Sequence, residues 1–246
     1  MLEITNVTKK YDKKIALDSV NLTIGPGEIV GLFGENGAGK TTLMKCILDL
    51  VRYEGKITLE GSLITRKNID RLSFATVEHS FFPNMTPKEH REFYQDHFDR
   101  FRQKRFEMLM DFFALAHNKP LRTFSTGQQN QFEVIMALCQ GADYILMDEP
   151  FSGSDIFNRE DFYKLMIGIL EPEETILLST HLIEEVSDVI GRAVLIRQGK
   201  IIGDTTSDNL EEEGTTLLDW IKEIYGYRQE KVSEVITRLE ENRQDG

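Results

Sequence analysis

Residues 34 to 42, GENGAGKTT, place three glycines, a lysine and two threonines within nine positions. Gly34, Gly39, Lys40 and Thr41 satisfy the spacing G-x-x-x-x-G-K-[ST], a pattern suited to gripping a polyphosphate. Glycines let successive main-chain N–H groups converge on phosphate oxygens without a Cβ in the way, and a helix starting near Lys40 adds its positive end. In this reading Glu35, Asn36, Gly37, Ala38 and Thr42 complete the cradle, Lys40 neutralises the β- and γ-phosphates, and the Thr41 hydroxyl ligates Mg²⁺.

Such a phosphate loop also needs an acid on a neighbouring strand to hold the hydrated metal. The run YILMDEP (144–150) supplies Asp148 after four apolar residues, with Glu149 next. Asp148 is expected to reach Mg²⁺ through water. Glu149, at the strand tip beside the γ-phosphate, is placed to orient and polarise an attacking water.

Elements must hold these groups. EIVGLF before the loop reads as a short buried strand and LMKCILDL after it as a helix. LEITNV alternates in polarity, as do Val20, Leu22 and Ile24 before the turn GPG at 25–27. YILM (144–147), TILLS (175–179) and AVLIR (193–197) are apolar β-rich runs with helical patterns between them, which predicts a mainly parallel, covered sheet.

Residues 86–140 lack strand-like runs and predict a helical lobe, with Thr86 as cap, Pro87 in the first turn and Glu89 completing a capping box. Phe93, Tyr94, Phe98, Phe101, Phe106, Phe112 and Phe113 make this lobe aromatic. They read as packing between its helices, with a docking surface as the second reading. Past an acidic hinge, DNLEEEG, two amphipathic helices are expected. In the last, Val232, Val235, Ile236 and Leu239 form one stripe.

The chain has 246 residues, 40% hydrophobic, enough for one sizeable core and a smaller lobe. Forty-one acidic against 29 basic residues give a formal charge of −12, which argues against nucleic acid or an anionic lipid surface as partner. The densest basic run, RFRQKRF at 100–106, reads as a solvated helix face interleaved with acids. The start MLEITNVTKKY has no apolar core behind a basic head, and no window reaches the roughly 18 apolar residues of a membrane span. Cys46 and Cys139 lie in apolar helical patterns without metal-ligand neighbours and read as small buried hydrophobes.

In order along the chain stand Tyr11 after the first strand, the phosphate loop, FSTGQ (124–128), YILMDEP, SGSD (152–155) and STH (179–181). Over residues 1–205 this ordered set resembles the ATP-binding cassette family. The resemblance implies a P-loop α/β core with a mainly parallel sheet, an N-terminal antiparallel β subdomain and a helical subdomain. It divides the chain into a cassette at 1–210, with the helical subdomain at about 86–140, and a helical tail at 211–246.

The resemblance further implies a head-to-tail pair of cassettes, identical or related, with ATP between the phosphate loop of one and the signature segment of the other. Tyr11 would stack on adenine. Ser125 and Gly127, with Gln128, would contact the nucleotide of the opposite copy, and Asp155 would lie at the seam. His181 would hydrogen-bond the γ-phosphate beside the catalytic pair Glu149 and Lys40. From the residues alone, Ser125 precedes a helical run and can serve as its N-cap.

Two positions depart from the family pattern. Thr126 stands where a first glycine is usual, adding β-branched bulk near the nucleotide. The glutamine usual between core and helical lobe is replaced by Val77 or Glu78 in FATVEHSFFPNMT; Glu78 is favoured, because a carboxylate could still reach Mg²⁺ or its water.

The function implied is an ATP-hydrolysing subunit powering a transporter whose membrane-spanning subunits are separate chains. The chain would be cytoplasmic and peripheral on the inner face of the membrane, its cargo a small amphipathic or peptide-like compound moved outward. The aromatic region from Phe81 to Phe101 would receive the permease. The alternatives are an ATPase of an assembly system, of the iron-sulfur cluster type, and a regulatory ATP-binding module with weak turnover.

Overall fold

The computed structural model describes residues 1–150 and 156–226, for 156–160 the backbone only. The SGSD run with Asp155 and the stripe from Val232 to Leu239 lie outside the described residues.

Two sheets organise the fold. An antiparallel sheet is built from β1 (Leu2–Tyr11), β2 (Lys14–Ile24), β4 (Glu54–Leu59) and β5 (Ser62–Leu63), in the order β2-β1-β4-β5. The second sheet holds β3 (Ile29–Phe33), β6 (Leu72–Thr76), β7 (Tyr144–Asp148), β8 (Thr175–Ser179), β9 (Arg192–Arg197) and β10 (Lys200–Thr206). Its order is β10-β9-β3-β8-β7-β6, all neighbours parallel except the β9–β10 hairpin. Covered parallel strands must be apolar on both faces, and β7 and β8 are buried at every residue.

The pleat sends alternate residues into two cores. Val30, Leu32, Tyr144 and Leu146 point into the core shared with the antiparallel sheet and with Leu43, Met44 and Ile47 of α1 (Lys40–Ile47). Phe33, Ile145 and Met147 point into the other, which holds Phe132 and Ile135 of α4 (Thr126–Cys139) and Phe162 and Met166 of α5 (Ile156–Ile169). Cys46 and Cys139 are fully buried, one in each core.

Between β6 and β7 the chain forms α2 (Pro87–His97), α3 (Gln103–Phe112) and α4. Thr86 and Glu89 make the capping box at the start of α2. Of the aromatic set, Phe106 is fully buried while Phe112 is exposed, as is Phe82 just before α2. Packing and surface thus claim different rings.

Two expectations are corrected. The basic run at 100–106 is a solvated face only in part: Arg100, Gln103 and Lys104 are exposed, while Arg105 is turned inward. Arg105 is 7% exposed and donates to both carboxylate oxygens of Glu174, at 3.0 and 2.9 Å, and to the carbonyls of Leu138 and Ile169. The acidic DNLEEEG segment is not a hinge but helix α7 (Ser207–Glu213), because Thr206 caps its first turn and Gly214, at φ +64°, ends it. After α6 (Ile183–Val186) and α7, one amphipathic helix follows among the described residues, α8 (Leu217–Ile224). No helix of the described residues is long and apolar enough to cross a membrane.

Candidate functional site

Adjacency of three strands assembles the site. β8 lies between β3 and β7, and the pairing aligns Leu32 with Ser179 and Asp148 with Ser179. The phosphate loop after β3, Glu149 after β7 and His181 after β8 therefore emerge side by side at the carboxyl ends of parallel strands, where open α/β sheets place their ligands.

The loop from Gly34 to Gly39 joins β3 to α1. Gly39 has φ +120°, and a Cβ there would lie 2.7 Å from the carbonyl oxygen of Ala16. At Gly34 a Cβ would lie 2.3 Å from the carbonyl oxygen of Ile196. Both glycines are thus required by close approach of other main chain. Lys40, 7% exposed, donates from Nζ to the carbonyls of Gly34 at 2.6 Å and Glu35 at 3.3 Å. Burial lowers the affinity of its ammonium for the proton, and the charges of Glu149 and Asp148 act in the opposite sense.

Asp148 is buried at the end of β7 and held at both oxygens. The Thr41 hydroxyl donates to Oδ2 at 2.5 Å, and the Ser179 hydroxyl donates to Oδ1. Hard oxygen donors from a hydroxyl and a carboxylate are the ligand chemistry of Mg²⁺ bound together with substrate phosphates. Among the described residues no group of three or more His, Cys, Asp or Glu could form a metal cage. Thr41 and Asp148 fit the metal.

Glu149 leaves the sheet at φ +49°, a left-handed conformation unusual outside glycine, with its amide on the Ser179 carbonyl at 3.0 Å. Its carboxylate Oε2 lies 2.8 Å from Nδ1 of His181. A carboxylate can only accept, so Nδ1 carries the hydrogen. The pair orients the carboxylate at the mouth of the cleft.

That cleft, about 260 Å³, is lined by Tyr11, Lys14, Ala16, Asn36, Gly37, Gly39, Lys40, Thr41, Thr42, Asp148 and Glu149. Tyr11 is exposed, with the Lys9 ammonium 4.6 Å over its ring. Ala38 is buried behind the loop, and Gly34 and Glu35 face Lys40. Residues that sequence reading left without a role are Lys14 and Ala16 on the cleft wall and Ser179 on Asp148. The polar end of the apolar run TILLS and its place at the start of STH were the signals for the last.

Ser125, Gly127 and Gln128, expected on the nucleotide of a second copy, and Glu78, expected at the metal, do not line this cleft. Ser125 and Gln128 form a reciprocal capping box at the start of α4, the Ser125 Oγ accepting from the Gln128 amide at 3.3 Å and Gln128 Oε1 from the Ser125 amide at 3.0 Å. Ser125, Thr126 and Gln128 are exposed, and Gly127 partly so. Glu78, expected beside the metal, instead binds Lys45 of α1 with both oxygens, at 2.8 and 2.9 Å. Lys45 lies one helical turn past Thr41 on α1.

The following loop is fastened to the helical lobe by three polar contacts. His79 Nε2 lies 2.7 Å from Asn130 Oδ1. The Ser80 amide and hydroxyl both donate to Glu133 Oε1, at 2.9 and 2.6 Å. The Phe82 amide donates to His90 Nε2 at 3.0 Å. His90 is buried and its Nδ1 donates to the Thr86 carbonyl, so the ring is neutral, and burial lowers its proton affinity. Burial likewise raises the Glu133 carboxyl to about 7, against the opposing hydrogen bonds from Ser80.

The family model described as ABC transporter matches residues 17–152. The lipopolysaccharide export system ATP-binding protein LptB of Haemophilus influenzae is 30% identical over 237 residues, covering 92% of this chain and 96% of that protein. The lantibiotic transport ATP-binding protein SrtF of Streptococcus pyogenes is 27% identical, covering 86% and 95%. The fold matches a solved ATP-binding subunit of an ABC transporter with TM-score 0.78 at 22% identity, covering 92% of this chain and 99% of that one. It also matches a dimeric ATP-binding cassette in a post-hydrolysis state bound to ADP and Pi, with TM-score 0.72 at 22% identity, covering 84% and 99%.

Proposed function

The chain belongs to the ABC transporter family as an ATP-binding, ATP-hydrolysing subunit, and from that premise we propose that it powers export through membrane-spanning subunits carried on separate chains. The cargo is a small amphipathic or peptide-like compound, in line with relatives named for lipopolysaccharide export and lantibiotic transport. The chain then sits on the inner face of the membrane, against its permease. Exposed Phe82, on the loop tied to Glu133 and His90, offers the permease an apolar contact.

The observation that carries the catalytic part is the convergence of Lys40, Thr41, Asp148 and Glu149 on one cleft. Lys40 exchanges the carbonyls of Gly34 and Glu35 for phosphate oxygens, so its charge need not be desolvated anew when ATP enters. Thr41 and Asp148 would hold Mg²⁺, which when bound would neutralise charge on the phosphate chain. Glu149, oriented by His181, directs a water at the γ-phosphorus. The bond to the β–γ bridging oxygen breaks, ADP leaves with that oxygen, and the proton of the water passes by way of Glu149 to solvent.

Exposed Ser125 and Thr126, with partly exposed Gly127, at the positive end of α4 supply the seal on a second cassette's nucleotide. Closure of the pair on ATP and reopening after hydrolysis is the motion delivered to the permease.

Purification of the tagged chain from its own membranes in detergent tests this reading. Copurification of a membrane-spanning protein whose presence stimulates ATP hydrolysis is the expected result. Recovery with non-membrane partners alone would transfer the assignment to an assembly ATPase.

A further inference from the structure

Ser179 ends β8 directly opposite Asp148 in the parallel register of β7 and β8. The pleat turns residues 177 and 179 to the same side as 146 and 148, the side on which Leu146 and Leu177 join the core shared with α1. Ser179 is 0% exposed there. An apolar side chain would fill that place at lower cost, and a buried hydroxyl destabilises unless it is hydrogen-bonded. Its partner is Oδ1 of Asp148, to which it donates.

Asp148 is therefore held by two hydroxyls in different places. Thr41 lines the cleft, as Asp148 does, whereas Ser179 lies behind the carboxylate and off the cleft wall. Any part Ser179 has in the chemistry of the cleft passes through Asp148. An ionised carboxylate offers about four lone-pair sites on its two oxygens. One hydroxyl on each oxygen fixes the rotation of the group and leaves lone pairs for the cleft. The main chain of Ser179 serves the next acid: its carbonyl accepts the Glu149 amide at 3.0 Å. Two residues on, His181 Nδ1 meets the Glu149 carboxylate at 2.8 Å. The end of β8 thus holds both acids, Asp148 through the Ser179 hydroxyl and Glu149 through main chain and His181.

We propose that Ser179 is a positioning residue for the metal site, fixing the Asp148 carboxylate in the orientation that receives Mg²⁺. Thr41 also faces the metal's place, so Ser179 is the holder that metal binding leaves undisturbed. Partners of this kind, which orient a ligand without touching the metal, are worth about 10-fold to 100-fold in metal affinity. The inference rests on the assignment of Thr41 and Asp148 to Mg²⁺.

The test is Ser179→Ala in the full chain, with ATP affinity measured by calorimetry in excess Mg²⁺ and again in EDTA. The ratio of the two affinities is the metal's contribution to binding. Alanine removes the hydroxyl and keeps the main-chain bonds of β8, so affinity in EDTA is expected to stay within about twofold of the parent while the ratio falls about tenfold. The free Mg²⁺ giving half-maximal hydrolysis rises by a similar factor. Ser179→Cys, close in shape and a weaker donor, gives the same reading should the alanine variant not fold. A ratio within twofold of the parent overturns the proposal, and so does an equal loss of affinity with and without metal, which a general loosening of β8 would produce. If Asp148→Asn lowers the ratio and Ser179→Ala does not, this inference alone falls; if Asp148→Asn leaves the ratio unchanged, the metal assignment falls with it.

Discussion

The Thr41 hydroxyl donates to Asp148 Oδ2 at 2.5 Å, a bond between residues 107 positions apart that ties the first turn of α1 to the end of β7. With Ser179 on the other oxygen, Asp148 is a carboxylate held by two hydroxyl donors. Asp148→Asn keeps the shape but offers one acceptor oxygen to two hydroxyls. We expect a loss of about 1–3 kcal/mol in a denaturant titration and a fall in ATP hydrolysis of at least about 100-fold. Turnover within threefold of the parent would remove Asp148 from the machinery.

Glu149→Gln keeps an acceptor for His181 Nδ1 and removes the charge that polarises water. ATP affinity should change little, while turnover falls by about 10²–10⁴. Single-turnover hydrolysis of radiolabelled ATP measures this. A variant that hydrolyses as fast as the parent would reassign the general base.

Glu133 faces Ser80, which donates to it twice, and Tyr94, whose hydroxyl is pushed up to about 12 by burial with the Glu133 charge adding to it. The Glu133 carboxyl stands at about 7 in the folded chain against an ordinary 4.5. Between those values the unfolded chain ionises while the folded chain stays neutral, so this group's contribution is present at low pH and lost as pH rises to about 7. Glu133→Gln retains an acceptor for Ser80 and should gain about 2–3 kcal/mol on the parent between pH 5 and pH 8. Parallel stability curves of parent and variant across that window would refute the burial argument.

Arg105 and Glu174 form a buried, two-pronged ion pair that also ties down the ends of α4 and α5. Arg105→Met leaves the buried Glu174 carboxylate only the Glu171 amide and the longer contact to Arg102 at 3.8 Å, and should cost about 3–5 kcal/mol. Adding Glu174→Leu should recover much of that loss, since the lone charge is the chief penalty. Chemical denaturation of both variants reads the difference, and a double variant no better than the single would place the cost in lost packing instead.

Local chemistry was legible in the linear chain. The phosphate loop, the acid pair after an apolar run, the Thr86–Glu89 capping box and the Ser125 cap all depend on neighbours within a few residues, and they stand where spacing put them. Strands that carry little periodicity, such as β4, β6 and β10, were not legible, because β6 and β10 are sheet edges and β4 belongs to a small sheet with one exposed end. The partner of Glu78 was not legible for the same kind of reason: Lys45 lies 33 positions earlier, and sequence spacing does not show which charge will be near.

What the sequence determined by itself is the chemistry: glycine, lysine and threonine in one turn can only be economical around phosphate, and a carboxylate pair at a strand tip suits metal and water. What the tertiary structure decided is who meets whom. Placing β8 between β3 and β7 brings Ser179 onto Asp148, His181 onto Glu149 and Thr41 onto Asp148, and the docking of α8 brings Tyr225 under Arg197. These contacts depend on strand order and helix seating, which arise from burying two apolar faces at once and are written in no short stretch of the chain.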